Sequence, residues 1–374
     1  MQRHNNHNAG LREIGGGLGI ADSPIPSIPE IRRDTRDREM YTENSDFKQW
    51  LLNQNKDCSY CLLISADPDA LASALAVRGL IRRRVGHVAI RYINEVTRPD
   101  NLAMIRYLRI PAERFVPDEA SGYSHFALID SQPGHNPLFT AYRYSLIIDH
   151  HPKSDVSNYL AEDAYCAIQP KIGATSTLIT RILRSLKKRP GPLLATALLY
   201  GIRTDTAAFE RSGGEADLSA YHWLSKYANM GLLRRICRSE YLRAWLPLFS
   251  RAFRSLRDCK GGGAHASLKD VSSADLLVSI ADFFTKIHGL RWIAVSGAVG
   301  KNVVVIFRSD GTRDVGAMAQ ACFAGLGQGG GHKNLARAEF PLSQVDESMS
   351  AADFVYKKLS AYTLRPMRAA DKKT

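Results

Sequence analysis

Asp67, Asp69, Asp130, Asp149, His150, His151 and Asp205 stand out because most of them directly follow short apolar runs. The run Tyr60-Cys61-Leu62-Leu63-Ile64 precedes Asp67-Pro68-Asp69, and Phe126-Ala127-Leu128-Ile129 ends in Asp130. Ser145-Leu146-Ile147-Ile148 ends in Asp149-His150-His151, and an apolar stretch from Leu193 leads to Thr204-Asp205-Thr206. If the runs are parallel strands, their carboxyl ends share one edge of a sheet, the edge where such sheets bind ligands. Carboxylates gathered there repel, and one would stay protonated unless a cation joined them. Carboxylates with a single imidazole suit Mn²⁺ or Mg²⁺ better than Zn²⁺. One or two such ions would grip a phosphate oxygen and lower the pKa of a water for in-line attack. Each acid taken alone also has a plain structural role, since Asp caps helices and favours turns. Asp69, for example, stands where it could cap a helix starting at Ala70.

Strands must alternate with helices to present acids in this way. Helical spacing runs over 70–83, 101–108, 173–186 and 193–202, and strand-like runs cover 60–64, 87–93, 126–129 and 145–148. That alternation predicts an α/β fold, a parallel sheet with helices on both faces. A second, smaller α/β domain follows, with strands at 293–299, 303–307 and 337–340, a helix at 315–323 and a glycine-rich loop at 325–331. The expected boundaries are a disordered tail over 1–45, the first domain over 46–225 and a helical linker over 226–263. The second domain then covers 264–362 and a basic tail 363–374. Gly15-Gly16-Gly17-Leu18-Gly19 has no preceding strand and no following Lys-Ser/Thr, so it reads as part of the tail rather than as a phosphate loop.

Lys and Arg outnumber Asp and Glu by 50 to 37, a formal net charge of +13, which favours polyanionic partners. Arg82-Arg83-Arg84 and Arg234-Arg235 fall on expected helices and read as solvated faces. Six cysteines are scattered, and Cys58-x-x-Cys61 lacks a second pair at zinc-site spacing. Free thiols in a reducing compartment are expected. No run of about 18 apolar residues suggests a membrane span, and the N-terminus lacks the apolar core of a signal peptide. The cytoplasm, without membrane association, is the default location.

Taken in order, these motifs resemble the DHH phosphoesterase superfamily in its form with a C-terminal DHH-associated domain. The likeness runs from about Tyr60 to Phe340. It is carried by Asp67-Pro68-Asp69-Ala70-Leu71-Ala72-Ser73, Leu128-Ile129-Asp130, Ile148-Asp149-His150-His151-Pro152, Gly173-Ala174-Thr175-Ser176 and Gly201 to Phe209. The second domain adds Phe307-Arg308-Ser309 and Gly329-Gly330-Gly331-His332-Lys333. Within the superfamily the chain looks most like nano-RNases and phosphoadenosine-phosphate phosphatases, with RecJ exonucleases and cyclic-di-AMP phosphodiesterases as further relatives.

The resemblance implies roles. Asp67, Asp69, Asp130, His150 and Asp205 would be metal ligands, with Asp130 bridging if two ions bind. His151 would contact the scissile phosphate and Asp149 would orient it. Arg308, Ser309, the amides of Gly330 and Gly331, and His332 would hold the distal nucleotide. The implied activity is Mn²⁺-dependent hydrolysis of short RNA or DNA oligonucleotides or small nucleotides to nucleoside 5′-monophosphates, with Mg²⁺ as the other ion. Phosphoadenosine-phosphate phosphatase and cyclic-dinucleotide phosphodiesterase activities are the alternatives, and a homodimer is compatible with the sequence. One position departs from the pattern. Many nano-RNase-like members carry a metal-binding His where this chain has Leu63. That leaves open a second ion, and with it a binding protein without turnover.

Overall fold

The computed structural model describes residues 46–209 and 214–362. The expected tails at 1–45 and 363–374 lie outside the described residues. The first half opens with helix α1 (residues 46–52). It continues as β1 (Ser59–Ile64), α2 (Pro68–Ile81), β2 (His87–Tyr92), α3 (Pro99–Leu108), β3 (Ala112–Arg114), β4 (His125–Ile129) and β5 (Tyr144–Asp149). Then come β6 (Leu160–Ile168), α4 (Thr175–Ser185), α5 (Pro192–Asp205), α6 (Glu215–Ser225) and α7 (Met230–Cys237).

The six strands form one parallel sheet in the order β3-β2-β1-β4-β5-β6. Chain direction across the sheet reverses between β1 and β4, and that switch point opens the crevice where α/β sheets take ligands. The strand side chains alternate between two cores. Leu62 and Ile64 of β1 join Ala127, Ile129, Leu146 and Ile148 under the α-helices. Cys61 and Leu63 join Leu128, Ile147 and Phe139 on the opposite face. The expected cover on both faces is therefore uneven. α-Helices lie on one face, and short 3₁₀ turns at Pro117–Gly122 and Pro137–Ala141 belong to the other, with a third at Pro133–His135 between β4 and β5.

The second half consists of α8 (Leu246–Arg254), β7 (Arg257–Cys259), β8 (Gly263–Asp270), α9 (Ala274–Phe284), β9 (Trp292–Val299) and β10 (Asn302–Ser309). It ends with α10 (Val315–Phe323), β11 (Gln328–Gly331), β12 (Leu335–Pro341) and α11 (Ala351–Ala361). Its mixed sheet runs β11-β12-β10-β9-β8-β7, with only β8 and β9 parallel. One face packs with α8 and α9, the other with α10 and α11.

Residues 226–263, expected as a helical linker, divide between the halves. Leu233 and Ile236 of α7 are buried in the first core, while Phe249 and Ala252 of α8 are buried in the second. Gly261 and Gly262, with φ of 75° and 73°, turn β7 into β8 rather than joining domains. The glycine-rich stretch read as a loop contains β11, an edge strand paired with β12. All six cysteines are free. No described helix is long and apolar enough to cross a membrane.

Candidate metal centre

The chain approaches the switch point through two helix starts. Asp67 lies between β1 and α2, and its Oδ1 accepts from Ala70 N at 2.9 Å, capping α2. This is the cap that the sequence had suggested for Asp69. Asp69 sits in the first turn of α2 and caps another helix instead. Its Oδ2 accepts from Thr175 N (2.6 Å) and its Oδ1 from Ser176 N (2.7 Å), the first amides of α4. A helix start carries unpaired N–H groups and a partial positive charge, so a buried carboxylate there is partly compensated. The Gly173-Ala174-Thr175-Ser176 loop is shaped from behind by buried Asp217 of α6, which accepts from Gly173 N and Thr177 Oγ1.

α5 must pass close to this junction to bring Asp205 in at its last residue, and Gly201 allows it. A Cβ there would stand 2.5 Å from Ser176 Oγ and 3.0 Å from Asp69 Oδ1. In an unobstructed helix Gly→Ala stabilises by about 1 kcal/mol. Here Gly201→Ala is expected to destabilise by about 1–3 kcal/mol, because the helix, Asp69 and α4 cannot all keep their places. Urea unfolding reads the sign directly.

Asp130 ends β4 in a left-handed conformation, φ 59°. Few side chains adopt that region without strain, and Asp is among those that do. Its amide donates to Ile148 O (2.8 Å) and its Oδ1 accepts from Thr175 Oγ1 (2.6 Å). From β5 comes Asp149, fully buried, with both oxygens engaged. Oδ1 takes the Nδ1–H of His151 at 2.7 Å and Oδ2 takes the amide of Gln132 at 2.6 Å. Gln132 is itself buried and held by Ser154 through its N–H and hydroxyl.

His150 points into the acids. Its Nδ1–H donates to Ile172 O at 3.1 Å, which leaves Nε2 facing Asp205 Oδ2 at 3.1 Å and Asp130 Oδ1 at 3.7 Å. Nε2 is buried and has hydrogen-bond geometry to neither oxygen. Ligand atoms of Asp69, His150 and Asp205 lie within 4.8 Å of one another, as do those of Asp130, His150 and His151.

The electrostatics match this crowding. Burial, and then the charge of Asp69, push the Asp67 carboxyl up to about 6. Burial and Asp205 push Asp69 up to about 6. Burial and the charges of Asp69 and Asp67 raise Asp130 well above the carboxylate range, and burial raises Asp205. Burial works against a charged His150, but the Asp205 and Asp69 carboxylates outweigh it and push the imidazolium up to about 9. Burial also works against a charged Asp149, but His151 and Gln132 hold it below its usual value. A buried, acid-rich pocket holding an imidazole nitrogen that makes no hydrogen bond fits a hard divalent cation with oxygen and nitrogen ligands.

Leu63 is completely buried in the apolar cluster with Leu128, Ile147 and Phe139, so this position serves the core. The second-domain residues are gathered on their own sheet. Arg308 Nε pairs with Asp282 Oδ1 of α9 at 2.6 Å, and its Nη1 donates to Phe307 O. Ser309 Oγ donates to Arg313 O (2.9 Å), closing the turn after β10. Gly331 has φ 145°, and a Cβ there would sit 2.6 Å from Leu335 O, so β11 and β12 approach only because it is glycine. Gly330 has open space around it, and His332 is exposed with its amide bonded to Leu335 O. Two residues around the first site were not anticipated, Gln132 and His135. Their only sequence signal is their place in Asp130-Ser131-Gln132-Pro133-Gly134-His135, directly after a strand-end acid.

No family model matches the chain. An uncharacterized protein of Methanocaldococcus jannaschii is 31% identical over 280 residues, covering 75% of this chain. The chain spans 57% of the length of that curated relative. The crystal structure of an exopolyphosphatase-related protein from Bacteroides fragilis aligns with a TM-score of 0.65 at 17% identity, covering 85% of this chain and 95% of that one. RecJ from Thermus thermophilus in complex with Mn²⁺ aligns with a TM-score of 0.43 at 13% identity, covering 86% and 54% of the two chains. The chain shares the two-sheet fold of that exopolyphosphatase-related protein.

Proposed function

We propose that the protein is a Mn²⁺-dependent phosphodiesterase that cleaves short oligonucleotides or small nucleotides to nucleoside 5′-monophosphates. Asp67, Asp69, Asp130, His150 and Asp205 would hold the ion, with Mg²⁺ able to replace Mn²⁺. The observation that carries this reading is the buried Nε2 of His150, which makes no hydrogen bond but lies 3.1 Å from Asp205 and 3.7 Å from Asp130, among carboxylates whose burial favours protonation. When bound, the ion supplies charge to a phosphate oxygen and acidifies a water. The chain supplies the rest. Asp149 fixes the His151 ring through Nδ1, so Nε2 is the nitrogen left to meet the phosphate or the leaving oxygen. Gln132 and Ser154 keep Asp149 from turning away. Arg308, Ser309, Gly330, Gly331 and His332 would hold the far end of the substrate. Arg308 would then exchange or share its Asp282 partner. Short substrates are the expectation that the family resemblance attaches to the small second domain.

Protons and the ion compete for the same atoms, and the sign follows from the shifts. His150 is raised from 6.5 to about 9, and Asp67 and Asp69 from 3.8 to about 6. Groups raised in this way stabilise the folded, metal-free protein at low pH and lose that contribution as pH climbs through the raised values. Mn²⁺ uptake should release protons, and the Mn²⁺-induced rise in Tm should grow from about pH 6 to about pH 9. Calorimetry in buffers of different ionisation enthalpy counts the protons. Uptake with no proton release would place the ion elsewhere.

Leu63 favours a second reading, a nucleotide-binding protein without turnover, because an apolar side chain occupies a position that carries a ligand in similar proteins. A panel of RNA dinucleotides, longer RNA, phosphoadenosine phosphate and cyclic-di-AMP with Mn²⁺ separates the readings. Binding without hydrolysis across the panel would select the second.

A further inference from the structure

We propose that His135 is a second phosphate-holding residue, its Nε2–H donating to a non-bridging oxygen of the group that His151 contacts. This rests on the phosphoesterase reading for its ligand, but on independent atoms for its geometry.

His135 closes the 3₁₀ turn Pro133–His135 that follows Asp130-Ser131-Gln132. Its Nδ1 lies 3.2 Å from the backbone N of Gln132 and 3.4 Å from Ser131 Oγ. A backbone N–H only donates, so Nδ1 must offer a lone pair. In the neutral ring the proton is then on Nε2. The backbone thus sets the tautomer and leaves a fixed outward donor on an exposed side chain. The ring stands edge-on to His151, with centroids 5.1 Å apart and planes at 77°. His151 uses Nδ1 on Asp149, so its free nitrogen and that of His135 can serve one ligand. Partial desolvation by its neighbours also lowers the His135 imidazolium from its ordinary value, in keeping with a neutral donor.

Ligand atoms of His135, Asp149 and His151 fall within 4.8 Å of one another, which raises a second cation site as the competing use. The hydrogen bonds argue against it. Both Asp149 oxygens are already taken, by His151 and by Gln132, and the His135 Nδ1 lone pair is taken by the Gln132 N–H. An anion needs none of these bonds broken.

The test uses the full chain loaded with Mn²⁺ and inorganic phosphate as the probe, with binding read by calorimetry. Turnover of bis-p-nitrophenyl phosphate is followed alongside. His135→Ala and His135→Phe are expected to weaken phosphate binding and to lower kcat/KM by about 10- to 100-fold. His135→Gln, which returns an N–H near the Nε2 position, should recover most of both. Mn²⁺ affinity should match the wild type in all three, while loss of the Nδ1 acceptor for the Gln132 N–H lowers Tm alike in the Ala and Phe variants. Unchanged phosphate affinity in the Ala and Phe variants overturns the proposal, as does a wild type that binds no phosphate. Loss of Mn²⁺ affinity in His135→Ala would make His135 a metal ligand and overturn it too. A wild type that binds phosphate through His135 but hydrolyses no phosphoester leaves this contact standing and removes the enzymatic reading instead.

Discussion

Asp130→Asn is expected to lower kcat/KM by about 10⁴-fold while making the metal-free protein more stable. The two effects share one cause. Asp130 is 4% exposed, lies among Asp67, Asp69 and Asp205, and has its carboxyl raised by burial and by their charges. Without an ion its ionised form is a liability, and an amide removes that liability. Asn also tolerates the left-handed backbone at φ 59° and can still accept from Thr175 Oγ1, so the end of β4 should keep its shape. What disappears is the charge that the proposed cation would meet. Asp130→Ala makes a useful contrast, because it adds a backbone cost of about 1–2 kcal/mol. Thermal melts in chelator and initial rates in Mn²⁺ measure both sides. Activity within tenfold of wild type would exclude Asp130 from the ligand set.

The second large effect belongs to His151. His151→Asn keeps an N–H near the Nδ1 position for Asp149 but has nothing in place of Nε2. We expect kcat to fall by about 10²–10⁴-fold, the range for losing a positioned acid–base group, with Mn²⁺ affinity nearly unchanged. His151→Ala should be equally inactive and also less stable by about 1–3 kcal/mol, because a buried Asp149 oxygen loses its donor. The pair therefore separates chemistry from packing. An active Asn variant would mean that the nitrogen facing away from Asp149 takes no part in the reaction.

Much of this arrangement is legible in the sequence, for a simple reason. The central strands are buried on both faces, so they read as apolar runs, and an acid that ends such a run announces the sheet edge. Asp130 and Asp149-His150 stand at such strand ends, whereas Asp69 lies in the first turn of α2 and Asp205 arrives at the end of α5. Elements without a periodic signal are hidden. β6 is an edge strand that alternates unevenly between exposed and buried residues, and β3 has only three residues. β11 is mostly glycine, a residue depleted in strands, and looks like a loop. Gln132 and His135 lie in a turn, where position alone says nothing of what a side chain reaches. The pairing of Arg308 with Asp282 joins residues 26 apart in sequence that only the packing of α9 on β10 brings together. The exchange of capping roles between Asp67 and Asp69 is likewise invisible until α4 is seen to start beside α2.

That exchange has a consequence of its own. A carboxylate offers about four lone-pair directions, and Asp69 gives two of them to the first amides of α4. Whatever pulls on its remaining directions also pulls on that helix. The opening turn of α4 should therefore act as a built-in gauge of occupancy. The amides of Thr175 and Ser176 ought to exchange slowly with solvent deuterium when Mn²⁺ is present and faster after chelation, while amides deep in β4 stay indifferent. A contact that reads as simple helix capping would then report, from inside the fold, whether the centre is filled.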